Sequence, residues 1–443
     1  MTNKSWAAGM ATVQWFMFLL AGSMAFPIII GHIYQLSAED ISGLMQRTFL
    51  VVGIATLIGG WLGHRLPIID GPAGIWIGVF VLMGQMAFLH GQDPIHNLRL
   101  LEGSMLLAGG ILAVLGALGW MGKMLQVFTP LVNGVYLIII TFQLSGTMLK
   151  GMLGTSGASA EVEPGVAAVS FLTFLLVVAL SIWGRKWLKS YAVLIGMIAG
   201  WAAFALINGG DTPLKSSAIV SLPEVFAWGL PRLDAGTIIS SIIVALVLVS
   251  GVIISVSSMQ QVLEERGQQL TETLGRKGRL ARGGLISGVS TLLSSVFSTI
   301  ATIPFSVSAG FVRTTGQTRM LPFFIACVLF AAASFFPVVY TFLSTLPEPV
   351  ANAAMLALFS QMIGIGIHSI LKEPLDQRRL TILSLSLMLG TGVMFLPAAV
   401  FAGLPTVLQY IMSNGVMVGI LTALVLEQSW RNKKIAVDKG KQV

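Results

Sequence analysis

The residues best suited to chemistry in this sequence are few, and they sit in two places. Asp70-Gly71-Pro72-Ala73-Gly74 sets a carboxylate among glycines and a proline at the start of an apolar stretch, and Ile303-Pro304 opens another. Proline removes a backbone donor and glycine disfavours helix, so both stretches predict extended backbone leading into a helix. A helix that begins there points free N–H groups and its positive dipole end outward, an arrangement that holds a small polar solute. Asp70 has two chemical options: to bind a proton or cation, or to pair with Arg65 or cap the segment, the structural role being favoured. Catalysis has little to work with. Cys327 is the single cysteine and lies in an apolar run, while His32, His64, His90, His96 and His368 are scattered without metal-site spacing. No GxxxxGK[ST] loop occurs. No enzyme activity, cofactor, metal site or disulfide framework is expected.

The elements that position these residues must be membrane spans. The 443 residues are 55% hydrophobic and 10% charged, with a mean hydropathy of +0.87. Soluble domains carry about 25% charged residues; this chain has too little polar surface to cover two or three of them. A hydrocarbon core about 30 Å thick takes roughly 20 apolar residues per helix. Fourteen candidate spans follow, at about 10–31, 48–63, 72–89, 102–122, 128–149, 165–184, 190–208, 236–259, 284–299, 303–317, 319–344, 350–371, 379–401 and 406–426. The run after Met1–Trp6 is expected as a retained first span rather than a signal peptide. The fold class is an all-α polytopic membrane protein whose third and tenth segments are partly extended.

Lysine and arginine give the expected orientation. With the N-terminus inside and fourteen spans, 21 of the 26 basic residues fall on the cytoplasmic side. The five outside are Arg47, Arg99, Lys150, Lys215 and Arg232. Both termini are then cytoplasmic in a plasma membrane, and the net charge of +8 reflects topology rather than a nucleic-acid partner. The longest inside loop, about 260–283, reads as a solvated amphipathic connector.

An odd unit repeated once has inverted topology, and the sequence carries traces of such a repeat of seven. Span five runs from Pro130-Leu131-Val132-Asn133 to Phe142-Gln143, and span twelve from Pro349-Val350-Ala351-Asn352 to Phe359-Ser360-Gln361. The two interrupted segments are likewise seven apart. Since unpaired backbone cannot face lipid, they are expected to meet inside the protein near the midplane.

The residues now resemble a known family. Arg282-Gly283-Gly284 with Ser287-Gly288, Pro304 through Gly310 with Thr314-Thr315-Gly316, and Leu346-Pro347-Glu348-Pro349-Val350 are similar to motifs of the nucleobase–ascorbate transporters, the uracil, xanthine and purine permeases. Gln14 through Pro27 and Leu66-Pro67-Ile68-Ile69-Asp70-Gly71 resemble its first and third spans. The resemblance implies fourteen segments in two inverted sevens, divided into core and gate: 1–149 for segments 1–5 (core 1–4 and the start of the gate), 150–235 for gate segments 6–7, 236–344 for core segments 8–11, and 345–443 for gate segments 12–14 with the cytoplasmic tail. It also implies a site between spans one, three, eight and ten. The family's positions fall on Gly22, on Gly74, on Ser250 with Ile254 a turn later, and on Val307 flanked by Phe305, Ser306 and Ser308. Family members usually hold the base with a carboxylate at the Ser250 position and an acid or amide at Val307. Here spans eight and ten contain no acid, the nearest being Asp234 and Glu264. Losing a charge-assisted grip costs a few kcal/mol of affinity or changes which solute fits.

The expected function is a secondary transporter of a nucleobase such as uracil, xanthine or another purine, working by alternating access. A proton or sodium co-substrate and a homodimer are implied by the resemblance. Two alternatives stand beside it: a carrier of a different small solute or anion on the same fold, and a non-transporting sensor. Trp15 and Trp76 are expected to pack rather than stack on a base, Gln143 and Gln361 could bond to each other, and His32, His64 and His368 are expected to be wet and satisfied.

Overall fold

A computed structural model describes residues 2–89, 93–124, 129–155, 161–185, 187–208, 218–268, 275–401 and 403–430. His90, the side chain of Gln361 and the tail expected at 431–443 lie outside the described residues. In the first half the elements are α1 (Thr2–Ser23), α2 (Ala25–Ile33), α3 (Ala38–Trp61), β1 (Asp70–Pro72), α4 (Gly74–Leu89), α5 (Pro94–Ala117), α6 (Met121–Met124) and α7 (Pro130–Met152). Then come α8 (Pro164–Trp183), α9 (Trp187–Ser190), α10 (Ala192–Asn208), α11 (Ala235–Glu265) and α12 (Arg276–Val296). The remainder comprises β2 (Thr302–Pro304), α13 (Val307–Thr315), α14 (Met320–Ala333), α15 (Pro337–Leu343), α16 (Glu348–Ile370), α17 (Gln377–Met394), α18 (Thr406–Met412) and α19 (Gly415–Ser429).

Local sequence explains the boundaries. Ser37 and Asp40 form a reciprocal cap on α3, and Asp234 with Thr237 does the same for α11. Asp93 caps α5 ahead of Pro94, and Gly316, at φ +75°, ends α13 in the left-handed region. The stretches expected as spans are largely helical among the described residues; 72–89 and 303–317 are each a strand followed by a helix, and 319–344, 379–401 and 406–426 are each broken into two shorter pieces. By length and composition, seven helices among the described residues are able to cross a membrane, or eight if α14 and α15, bent by 88°, count as one.

The chain forms two compact units. The first holds Met1–Met124 and Leu144–Ser360, and the second Leu125–Gln143 and Gln361–Val443. In the first, α5 lies along α12, α14 packs on α3 and α1, and α8 on α10. Glycines allow the α5–α12 approach: a Cβ at Gly288 would collide with the Ala113 backbone, and one at Gly116 with Leu285. In the second, α17 pairs with α19, and Ile139 of α7 lies against Gly390 and Gly419. Arg378 meets Glu427 there at 3.0 Å, and Arg379 donates to the carbonyls of Ile370 and Pro374 at 3.0 and 2.9 Å.

Two basic or polar positions differ from the sequence expectation. Arg47 was placed in an outer loop, but α3 starts at its Ser37 cap, well before residue 48, and Arg47 lies within it at 5% exposure. His64, expected to be wet, is 1% exposed because β1 and α12 cover the turn after α3. His32 and His368 are on the surface as expected, and His32 Nδ1 stands 3.4 Å from Glu348.

Candidate functional site at the strand crossing

The two proline-bearing segments meet as a short antiparallel pair: Asp70 opposes Pro304, Gly71 opposes Ile303 and Pro72 opposes Thr302. Beyond the ladder, Ala73 N–H donates to the Ala301 carbonyl and Phe305 N–H to the Ile69 carbonyl, each at 2.8 Å. One sequence offset carries Asp70 onto Thr302, Gly71 onto Ile303, Pro72 onto Pro304, Ala73 onto Phe305 and Ile69 onto Ala301. The crossing therefore has local two-fold symmetry down to its flanking hydrogen bonds. The helices before the strands contribute alike. Asp70 N–H donates to Thr56 Oγ1 at 2.9 Å, and Thr302 N–H to Ser294 Oγ at 3.2 Å. Backbone that the breaks in helix would orphan is thus satisfied by the partner strand and by two hydroxyls.

The crossing leads into the N-termini of α4 and α13. Gly22 of α1 faces it: a Cβ there would stand 3.4 Å from the Phe305 ring and 3.7 Å from Ile69. The same ring covers Gly71, where a Cβ would come within 2.6 Å of it. So Gly22 and Phe305 are brought together, and Gly71 is glycine because an aromatic ring lies on its backbone. Gly74 opens α4 beneath Phe359, whose ring would be 3.3 Å from an added Cβ. Phe359 in turn packs edge-on against Phe26 at 6.3 Å.

On α11, Ser250 is 2% exposed and its hydroxyl has no hydrogen-bond partner, while Ile254 a turn later is half-buried. This helix abuts β2: Gly251 faces Ile303, and Ser255 Oγ donates to the Pro304 carbonyl at 2.6 Å. Ser306 and Val307 are half-buried at the start of α13, and Ser306 makes no side-chain cap bond. Ser308 is fully buried and accepts from Ile69 N–H at 3.2 Å, so its hydroxyl tethers the two segments.

Asp70 is 1% exposed, and among the described residues no ion pair joins it to Arg65. Its carbonyl accepts from Thr56 Oγ1 at 3.2 Å, whereas its Oδ2 has no partner. His64 lies nearby, its Nδ1 accepting from Leu66 N–H at 3.1 Å. Its burial beside Arg279, and the backbone N–H donating to Nδ1, favour the neutral imidazole. Trp15 and Trp76 are fully buried, and Trp15 packs on Phe311 and Phe323 at 4.7 and 5.0 Å, as core residues do.

Sequence reasoning missed Phe359 as a neighbour of Gly74; an aromatic in an apolar span gives no sign of the face it covers. It also missed Glu102. Read as the edge of span four, this residue lies well inside α5, because Asp93 caps the helix earlier, and it is fully buried. Its Oε1 accepts from Ser298, whose carbonyl accepts from Arg47 Nε at 3.3 Å.

The profile described as the Permease family, that of the xanthine and uracil permeases, matches residues 7–399. The chain belongs to this family. It is a transporter and not an enzyme, and a multi-pass membrane protein. Among similar proteins is YwdJ of Bacillus subtilis, assigned by its name to the purine permeases, 30% identical over 430 residues that cover 96% of this chain and 97% of that one. The xanthine permease of the same organism is 26% identical over 423 residues, 94% and 91% of the two chains. The uric acid transporter UacT of Escherichia coli is 24% identical over 424 residues, 94% and 84%. In fold the chain is similar to the transmembrane domain of the cyanobacterial bicarbonate transporter BicA, with a TM-score of 0.54 at 15% identity over 93% of this chain and 96% of that one. Murine Slc26a9, an anion transporter in an inward-facing state, gives 0.60 at 11% identity over 95% and 68%.

Proposed function

We propose that this permease carries a nucleobase, a purine such as xanthine or a related base, across the plasma membrane by alternating access. The observation that carries the reading is the crossing of β1 and β2, each running into a helix N-terminus, in a chain whose full-length relatives are named for purines, xanthine and uric acid. Fourteen segments in two inverted sevens would place that crossing at the midplane, and the local two-fold symmetry supports the inversion. Segments 1–4 and 8–11 form the core in this reading, segments 5–7 and 12–14 the gate, with both termini cytoplasmic and the protein paired as a homodimer.

The base lies against the first turns of α4 and α13, whose N–H groups meet its ring acceptors. Gly22 and Gly74 leave room for a flat ring, and Phe305 offers it a stacking face. Ser250 replaces the carboxylate grip with a neutral hydroxyl that is buried and unpartnered. Ile254 and Val307 add apolar walls. The likeness to anion transporters concerns the fold alone and gives no equal support to an anion as the solute.

Thermal shift on the purified protein tests this. Xanthine, hypoxanthine, adenine, guanine, urate, uracil and sulfate are compared. A base at a hundred times its Kd stabilises the folded state by about 2.7 kcal/mol, and at least one base is expected to raise Tm. A shift with sulfate alone contradicts the reading, and no shift with any solute favours the sensor.

A further inference from the structure

We propose that Asp70, with His64, is the proton-carrying site of this permease. The proposal deepens the reading above and rests on it for the identity of the solute that the proton accompanies.

Two buried polar atoms face one small space. Asp70 Oδ2 and His64 Nε2 each make no hydrogen bond, and both residues are 1% exposed. A Cβ at Gly59 of α3 would stand 2.6 Å from Asp70 Oδ2 and 3.2 Å from His64 Nε2. The missing side chain of Gly59 therefore leaves room for both. Because His64 Nδ1 accepts from Leu66 N–H, the neutral ring carries its proton on Nε2 and presents an N–H to that space. An N–H donor suits a carboxylate and repels a metal cation, so the occupant that fits is a proton. Asp70 Oδ2 takes it up as O–H; when it leaves as H⁺, the carboxylate accepts from His64 Nε2–H instead. Only that O–H bond forms and breaks.

The place matters as much as the chemistry. Asp70 begins β1 opposite Pro304, so a change of charge there acts on the crossing that builds the solute site. An ionisable side chain at membrane depth is costly and marks function. The other groups facing the pair are Arg279 of α12, whose Nη1 donates to the His64 carbonyl at 3.4 Å, Arg65 in the same turn, and Cys327 of α14, close enough to feel the Asp70 charge. β2 has no titratable side chain, α1 has none from Ser5 to Ser23, and those of α3 (Glu39, Asp40 and Arg47) lie in its first half.

The test uses the full chain in proteoliposomes and whichever base of the panel wild type accumulates. At about 100 mV, one coupled proton supports roughly fiftyfold accumulation. Asp70→Asn is expected to lower that to about onefold while base counterflow, which needs no net proton movement, persists. Wild-type accumulation by Asp70→Asn, still abolished by a protonophore, overturns the proposal. An infrared titration reads the site without any solute. Wild type is expected to show a titrating carboxylic C=O band that Asp70→Asn lacks and His64→Gln shifts; the same band in all three overturns the proposal. If wild type exchanges a base but never accumulates it, the proton-carrying role is overturned; if it neither exchanges nor accumulates any base, the nucleobase reading fails and the infrared result alone decides on Asp70. Should Asp70→Asn not fold, His64→Gln carries both readouts: lowered accumulation with a shifted band supports the pair, and wild-type values in both overturn it.

Discussion

Gly74 is the residue at which the site can be closed most simply. Its Cβ position already lies 3.3 Å from Phe359, so Gly74→Leu must fill the space at the start of α4. The base-induced rise in Tm is expected to vanish, with binding weaker by at least about tenfold, or 1.4 kcal/mol. Unchanged affinity in isothermal titration would remove the third segment from the site. At Ser250 the change runs the other way. Ser250→Glu puts an acid where the hydroxyl has no partner and is expected to tighten base binding by about tenfold through a charge-assisted bond. A folded variant with unaltered binding would mean that α11 turns this position away from the solute. The resemblance set Gly22 and Phe305 near each other, and a Cβ at Gly22 would stand 3.4 Å from the Phe305 ring. The buried state of His64 and the tether made by Ser308 were not legible in the sequence, since both depend on what other segments lay over them.

At the scale of elements, the crossing is held by side chains of the surrounding helices. Thr56 Oγ1 accepts from Asp70 N–H, and Thr56→Val leaves that N–H buried without a partner. A loss of about 1–3 kcal/mol is expected, read as a lower Tm in detergent. Ser255→Ala removes a hydroxyl donor to the Pro304 carbonyl and should cost about 1 kcal/mol. An unchanged Tm in both would mean that the strand pair supports itself. The sequence disclosed where backbone leaves the helix, because Pro72, Pro304 and Gly71 forbid or disfavour it locally. It also gave fourteen apolar stretches, against seven helices among the described residues, or eight with the bent pair, that are long and apolar enough to cross a membrane. It did not disclose that α3 and α5 extend past the apolar stretches, which is why Arg47 was placed in an outer loop and Glu102 at the edge of a span; their caps, Ser37 and Asp93, are polar and look like loop until the helix is seen to start at them.

For the whole molecule, we propose an inverted pair of seven-segment halves that carries a flat base past a midplane site. Orientation is open to direct test, because Cys327 is buried and is the single cysteine. In a Cys327→Ser background, a cysteine at Lys123 or Lys372 is expected to react with a membrane-impermeant maleimide only after the membrane is opened, and one at Arg232 in intact cells. Labelling of all three in intact cells would break the assigned topology. The central claim is transport itself. Counterflow of labelled xanthine, hypoxanthine and urate into proteoliposomes of the purified chain measures it most directly. Uptake of at least one, competed by the unlabelled base and lost in Gly74→Leu, is the predicted result; flux of sulfate or bicarbonate with none of any base would contradict it.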